Sequence, residues 1–239
     1  MMRYSSVNYL EVITAGRLAL PPARLLPRKQ RTSPDMMILR FCRLFPEDSV
    51  TLASNLKCYI METMENIVRA DLHSYLASVG AVDAKMPECI DIEEKWEEIA
   101  SAYMPDGIRE YNSSPVVALG WMMFIGMAMA AFWDGNWDKY REDSELYDHL
   151  KDARGFDYMD EYILEDVLHL DQARAGKYSK VVAECASRTN SIIVRGNVEP
   201  GTKAAFQAFV SCLHQMYLMG MAFGLKHLGY KMTPMTFGA

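Results

Sequence analysis

From residue 49 onward the chain is written in apolar runs that return every three or four positions, separated by Gly, Pro and Ser. That is the period of helices packed on one side, and it is unlike the alternation of a half-buried strand. The first run, about 49–79, sets Leu52, Leu56, Ile60, Thr63 and Ile67 on one stripe, followed by Leu72, Tyr75, Leu76 and Val79. Ser49 suits its N-cap and Gly80 its stop. Asp91, with Glu94 three residues on, makes an acidic capping box. Ile92, Trp96, Ile99 and Tyr103 then form a second stripe, with Glu93, Lys95, Glu97 and Glu98 predicted on the opposite face.

Ser114–Pro115 predicts a helix start, with Ser accepting from unpaired amides and Pro preset in the first turn. Val116–Trp133 follows without a charge. A polar helix is predicted over 137–153, closed by Gly155. Asp157 caps another at 158–171, with Phe156, Met159, Ile163, Val167 and Leu170 inward. The segment 177–195 turns Tyr178, Val181, Val182, Cys185, Thr189, Ile192 and Ile193 to one side and stops at Gly196. Pro200 opens a last helix running to Leu228 and Gly229. No alternating β-branched run bounded by turn residues occurs. The pattern predicts an all-α, single-domain multi-helix bundle of about seven helices over residues 36–239.

Two of the predicted helices, Val116–Trp133 and Ala204–Leu225, carry no formal charge. A helix apolar all round is either the centre of a bundle or a membrane span, and both segments approach the roughly 20 residues that spanning needs. The second holds Gln207, Ser211, His214 and Gln215, and neither is flanked by the Lys/Arg asymmetry that orients membrane helices. The other predicted helices are amphipathic and need something to cover. Two central apolar helices wrapped by amphipathic ones meet that need, with a two-span membrane protein as the alternative. The central pair also shares a pattern, Met122–Ala128 reading MMFIGMA and Met216–Ala222 reading MYLMGMA. Small residues at matching positions let backbones approach while Met side chains fill the gaps, so a common packing requirement explains the likeness better than an internal duplication does.

Charge changes the picture at two places. The chain has 25 Lys+Arg and 31 Asp+Glu, a net of −6, yet residues 1–34 alone carry six basic groups and one acid. With that +5 set aside, the rest sums to −11. The basic, proline-broken segment 1–35 reads as an extension outside the fold: an organellar transit peptide, or sequence ahead of a start at Met36 or Met37. From Asp134 to Asp171 thirteen acids face four bases. This acidic balance argues against nucleic acid as a partner, which takes clustered Lys/Arg. Such a block reads as an ordinary solvated face or, functionally, as a docking surface for a basic protein steered by field.

The candidate chemistry is sparse. Five cysteines with no CxxC read as reduced, packed thiols, which places the chain in the cytoplasm. No Gly-rich phosphate loop, nucleophile elbow, HExxH or EF-hand pattern occurs, and no cofactor is implied. Glu165, Asp166 and His169 are the nearest approach to a metal-ligand spacing. At 100° per residue Glu161, Glu165 and His169 project about 160–240° away from inward Ile163, as a solvated face does. His214, with Gln215 beside it in an apolar helix, is the candidate general base or pocket-lining group; the alternative is a core histidine bonded to a neighbouring helix. Trp121, Trp133 and Trp137 with Phe132 and Tyr140 are predicted to form one aromatic junction. The functional expectation is a protein-interaction or self-association module with an acidic surface. The alternatives are an enzyme or small-ligand protein with a pocket near His214, and the two-span membrane protein.

Overall fold

A computed structural model describes residues 52–196 and 198–231, with side chains from Met64 onward. The fold is all-α. The described residues form eight α-helices and no strand: α1 Leu52–Ser78, α2 Ile90–Glu94, α3 Trp96–Ser113, α4 Pro115–Arg141, α5 Leu146–Arg154, α6 Met159–Tyr162, α7 Gln172–Arg195 and α8 Lys203–His227. A 3-10 turn, Phe156–Tyr158, leads into α6, and a π turn, Ile163–Val167, continues from it. Residues 1–35 and Ser49, Leu52, Leu56, Ile60 and Thr63 of the predicted first stripe lie outside the residues whose side chains are described.

The two uncharged helices, α4 and α8, are the centre. Every residue from Ala118 to Ala130 is buried, as is every residue from Gln215 to Leu225. Glycine places them in backbone contact. A Cβ on Gly220 would overlap the Met123 carbonyl, and one on Gly126 would overlap the Tyr217 carbonyl. One on Gly224 would lie 2.8 Å from the Ala130 Cβ and 3.0 Å from the Met127 oxygen. The partner numbers rise together along both helices, so α4 and α8 run parallel. At their C-terminal ends Trp133 meets Tyr230 edge-on and the Tyr230 hydroxyl donates to Asp134 at 2.6 Å. The shared MMFIGMA and MYLMGMA segments are thus the two sides of one small-residue seam, Gly126-xxx-Ala130 against Gly220-xxx-Gly224.

Amphipathic helices wrap this pair. Tyr178 on α7 meets Phe223 and His227, whereas Thr189 reaches Met216, so α7 runs antiparallel to α8. Gln215 and Lys226 pair with Glu65 and Asp83, so α1 and the loop after it run along α8 in the same sense. The Tyr103 hydroxyl donates to the Ala118 carbonyl at 2.6 Å, tying α3 to the start of α4. Burial pushes this phenol's proton affinity well up, which keeps it a donor.

Several boundaries differ from the sequence expectation, each for a physical reason. The inner stripe of α1 is Met64, Val68, Leu72 and Leu76; Ile67 is 50% exposed and Val79 49%. The helix predicted from Asp91 breaks into α2 and α3 at Lys95, which is buried rather than outward. Its ammonium donates to Glu98 at 2.8 Å and to the Asp143 carbonyl at 3.0 Å, satisfying a charge that could not otherwise be buried. Asp91 is not the cap, because it accepts from the Trp133 indole at 3.0 Å. α8 begins at Lys203, where the Thr202 side chain accepts from Ala205 N, not at Pro200. α7 begins five residues earlier than expected, with Asp171 accepting from Arg174 N at 2.8 Å. The polar helix predicted over 137–153 is two pieces: the end of α4, beyond a non-helical Asn136, and α5. The single aromatic junction is also divided, since Trp121 packs on Phe156 at 3.9 Å while Phe132 stacks on Tyr140 at 4.3 Å.

Candidate functional site

Adjacent residues on a helix point about 100° apart, so His214 and Gln215 face different neighbours. Gln215 is fully buried against α1. Its Nε2 donates to Glu65 Oε1 at 2.8 Å, and its Oε1 accepts from Arg69 Nε at 3.0 Å. Glu65 and Arg69 themselves stand 3.8 Å apart, one turn from each other on α1. The amide therefore bridges an ion pair and has both of its polar ends occupied. A buried Gln in an apolar helix demands such partners, because an unpaired buried amide costs on the order of 1–3 kcal/mol.

The His214 ring lies on Trp96 of α3, with centroids 4.7 Å apart and planes 30° from parallel. Trp96 also contacts Tyr217 at 5.4 Å, and the Tyr217 hydroxyl donates to the Ile92 carbonyl at 2.8 Å. His214 Nε2 is buried without a hydrogen-bond partner. Desolvation lowers the proton affinity of the ring from its ordinary value; the Glu65 carboxylate opposes this and the Arg69 guanidinium adds to it. The ring thus sits on α8 against Trp96 of α3, with its proton affinity lowered by burial. Two residues before His214, Cys212 is buried and its thiol is pushed up to about 12, as is that of Cys185 on α7. Both remain protonated near neutral pH, and a thiol rather than a thiolate is a poor nucleophile. Cys42 and Cys58 lie outside the described side chains.

Glu165, Asp166 and His169 are placed on and after the π turn. Arg154, at the end of α5, holds both carboxylates, with Nη1 2.8 Å from Glu165 and Nη2 2.7 Å from Asp166. His169 is exposed and adopts φ +52°, which turns the chain out of the π turn. Among the described residues no group of three or more His, Cys, Asp or Glu side chains is placed to hold a metal ion. The arrangement is an ion-pair clip that fastens α5 to the segment after α6.

The acidic stretch runs from the end of α4 through α5 to Asp171. Each of its four bases contacts a carboxylate or a ring. Lys151 bridges Asp148 and Asp106 at 2.9 and 3.5 Å, Arg154 grips Glu165 and Asp166, Arg141 meets Glu142 at 3.2 Å, and Lys139 lies over the Tyr140 ring. His149 sits 3.0 Å from Asp143. Asp138, Asp152 and Asp157 are exposed, with no cation within ion-pair distance among the described residues. Half-buried Asp160 has its carboxyl proton affinity raised by desolvation.

Sequence reasoning found Gln215 and His214 but not Glu65, Arg69 or Trp96, the groups that surround them. Nothing in the local spacing links α1 to α8. The usable signal was the unpaired Gln itself, which requires donors and acceptors from another helix. No family model, curated protein or solved structure matches this chain.

Proposed function

We infer that the chain is a helical binding module whose docking surface is the acidic stretch from Asp134 to Asp171, taking a basic protein surface or a second copy of the chain. The observation that carries this reading is that the four bases of the stretch contact a carboxylate or a ring beside them, whereas Asp138, Asp152 and Asp157 face solvent without an ion-pair partner among the described residues. A surface of one sign draws an oppositely charged surface over distances that salt can screen. The free protein thiols and the internal acidity fit the cytoplasm as its setting. The test is a complex isolated at low ionic strength from native extract, or self-association in sedimentation. Either should dissolve near 1 M salt, where the Debye length falls to about 3 Å. The triple replacement of Asp138, Asp152 and Asp157 by Lys should abolish it. A complex indifferent to both treatments would overturn the reading.

Catalysis or small-ligand binding near His214 is the second reading, favoured by the unpartnered Nε2. Gln215 contributes little to it, because Glu65 and Arg69 occupy both ends of its amide. A ligand screen by thermal shift addresses it: a rise in midpoint that His214→Ala removes supports a pocket.

By length and composition α4 and α8 could each cross a membrane. Topology speaks against their doing so together. Two parallel spans require the intervening chain to cross back, and only α7 is long enough among the described residues. α7 carries Arg174, Lys177, Lys180, Glu184, Arg188 and Arg195. A charge at the bilayer centre costs on the order of 3 kcal/mol or more, so α7 makes a poor span.

A further inference from the structure

The first three turns of α7, residues 172–183, carry Arg174, Lys177 and Lys180 and no acid. Further along the same helix Arg188 is neutralised twice, by Glu184 at 2.9 Å and by Asp71 of α1 at 3.4 Å. The first three cations have no such partner. All are exposed, and among the described residues no carboxylate lies within ion-pair distance of any of them. Steps of three residues keep them within about 120° of arc and about 9 Å of helix axis, so they form one face. Ala173 and Gly176 are exposed beside them, and a Cβ on Gly176 would meet nothing within 4 Å, so the surface there is low. Arg174 also stands in the first helical turn, where the macrodipole disfavours a cation. The one carboxylate at that end, Asp171, spends an oxygen on the Arg174 backbone amide at 2.8 Å.

We propose that this basic face of α7 is what the acidic stretch takes: Arg174, Lys177 and Lys180 of one copy receive Asp138, Asp152 and Asp157 of a second copy. The proposal rests on the acidic stretch being a docking surface and names its partner. Charge complementarity within one sequence favours a second copy over other anions. Three cations and three carboxylates, all exposed, are each left without an ion pair in the single chain. A polyanion such as nucleic acid or an anionic bilayer, laid over Arg174, runs at once into Asp171 three residues away and the carboxylates before it. A second copy related by a two-fold axis avoids that repulsion. In such a pair the contact of acid on base occurs twice, because what one copy offers the other receives. Low side chains at Ala173 and Gly176 let the carboxylates approach the cations closely.

Charge exchange between two variants of the full chain tests this. One carries Arg174→Glu, Lys177→Glu and Lys180→Glu; the other carries Asp138→Lys, Asp152→Lys and Asp157→Lys. In sedimentation equilibrium at low ionic strength the natural chain should form dimers that part near 1 M salt, where screening acts within about 3 Å. Each variant alone should be monomeric, and an equimolar mixture should dimerise, because every reversed surface then meets its opposite. The α7 variant should melt no lower than the natural chain, since acids suit a first helical turn. A reading that needs no variant comes from zero-length carbodiimide coupling of isotopically light and heavy natural chains. It should join Lys177 or Lys180 of one copy to Asp138, Asp152 or Asp157 of the other. A natural chain that stays monomeric, a mixture that does not dimerise, or the absence of any such joined pair overturns the proposal. So does capture of the monomer on phosphatidylserine vesicles that the α7 reversal abolishes, which would assign the face to a membrane. A complex from native extract that is lost on reversing the acids but kept on reversing α7 leaves the acidic docking surface standing and refutes α7 as its partner.

Discussion

The two faces of α8 join it to the bundle in opposite ways. Toward α4 it offers Gly220 and Gly224, and the contact is backbone on backbone with no polar side chain between. Toward α1 it offers Gln215, which spans Glu65 and Arg69 in a bonded cluster. The first contact depends on shape alone: dispersion and burial reward close approach, and any added atom is a collision. The second depends on pairing, and its strength changes with the protonation and solvation of the groups involved. A single uncharged stretch of sequence therefore hides a rigid seam and a polar, titratable joint. Apolar composition alone does not distinguish them.

The largest effect is expected from closing the seam. Gly220→Ala places a methyl on the Met123 carbonyl, so the backbones must part along a contact that runs from Met123 to Ala130 on α4 and from Tyr217 to Gly224 on α8. A loss of at least about 3 kcal/mol is expected in denaturant unfolding, at the upper end of overpacking. A loss under about 1 kcal/mol would show that the helices can slide apart at little cost. Next comes the joint. Gln215→Leu leaves Glu65 and Arg69 facing an apolar side chain, and should reduce stability by about 1–3 kcal/mol. Replacing Glu65 and Arg69 by apolar residues in the same chain should recover part of that loss, which a purely shape-dependent contact would not allow.

Smaller effects refine the contrast. Tyr217 belongs to both regions, since its carbonyl lies beneath Gly126 while its hydroxyl donates to Ile92. Tyr217→Phe keeps the seam and orphans one carbonyl, so about 1 kcal/mol of stability should be lost, with no change in the packing of Gly126. The smallest effect carries the opposite sign. Gly176 lies on the exposed surface of α7, where a Cβ meets nothing within 4 Å. Gly176→Ala should stabilise the protein by about 0.5–1 kcal/mol, because the helix gains and nothing collides. The same chemical change thus separates the interior seam from an open helix surface by its sign in a thermal melt.

Much of this fold was legible from residue pattern. Ser114–Pro115 begins α4, and Gly80, Gly155 and Gly229 follow helices or turns with φ of +73°, +87° and +94°. These signals are local, set by the backbone freedom of one or two residues. What the pattern missed was decided at a distance. Lys95 turns inward because the Asp143 carbonyl and Glu98 await its ammonium. Asp91 leaves its capping role for the Trp133 indole. Ile67 faces solvent because the inner stripe of α1 falls on Met64, Val68 and Leu72. The repeated Gly-Met-Ala segments announced a close approach of two helices, yet their parallel direction was readable only from which residues meet. The His214 and Gln215 pair was visible in sequence as a polar interruption, whereas Glu65, Arg69 and Trp96 came from helices that no local spacing connects to it.

The parallel seam also orders events during synthesis. Met123 is made long before Gly220, and the face of α4 that Gly220 and Gly224 cover has no occupant until α8 has left the ribosome. Contacts between distant parts of a chain form slowly, and apolar surface waiting for them is prone to wrong partners. The nascent chain therefore passes through a stage in which the glycine face of its most apolar helix stands uncovered.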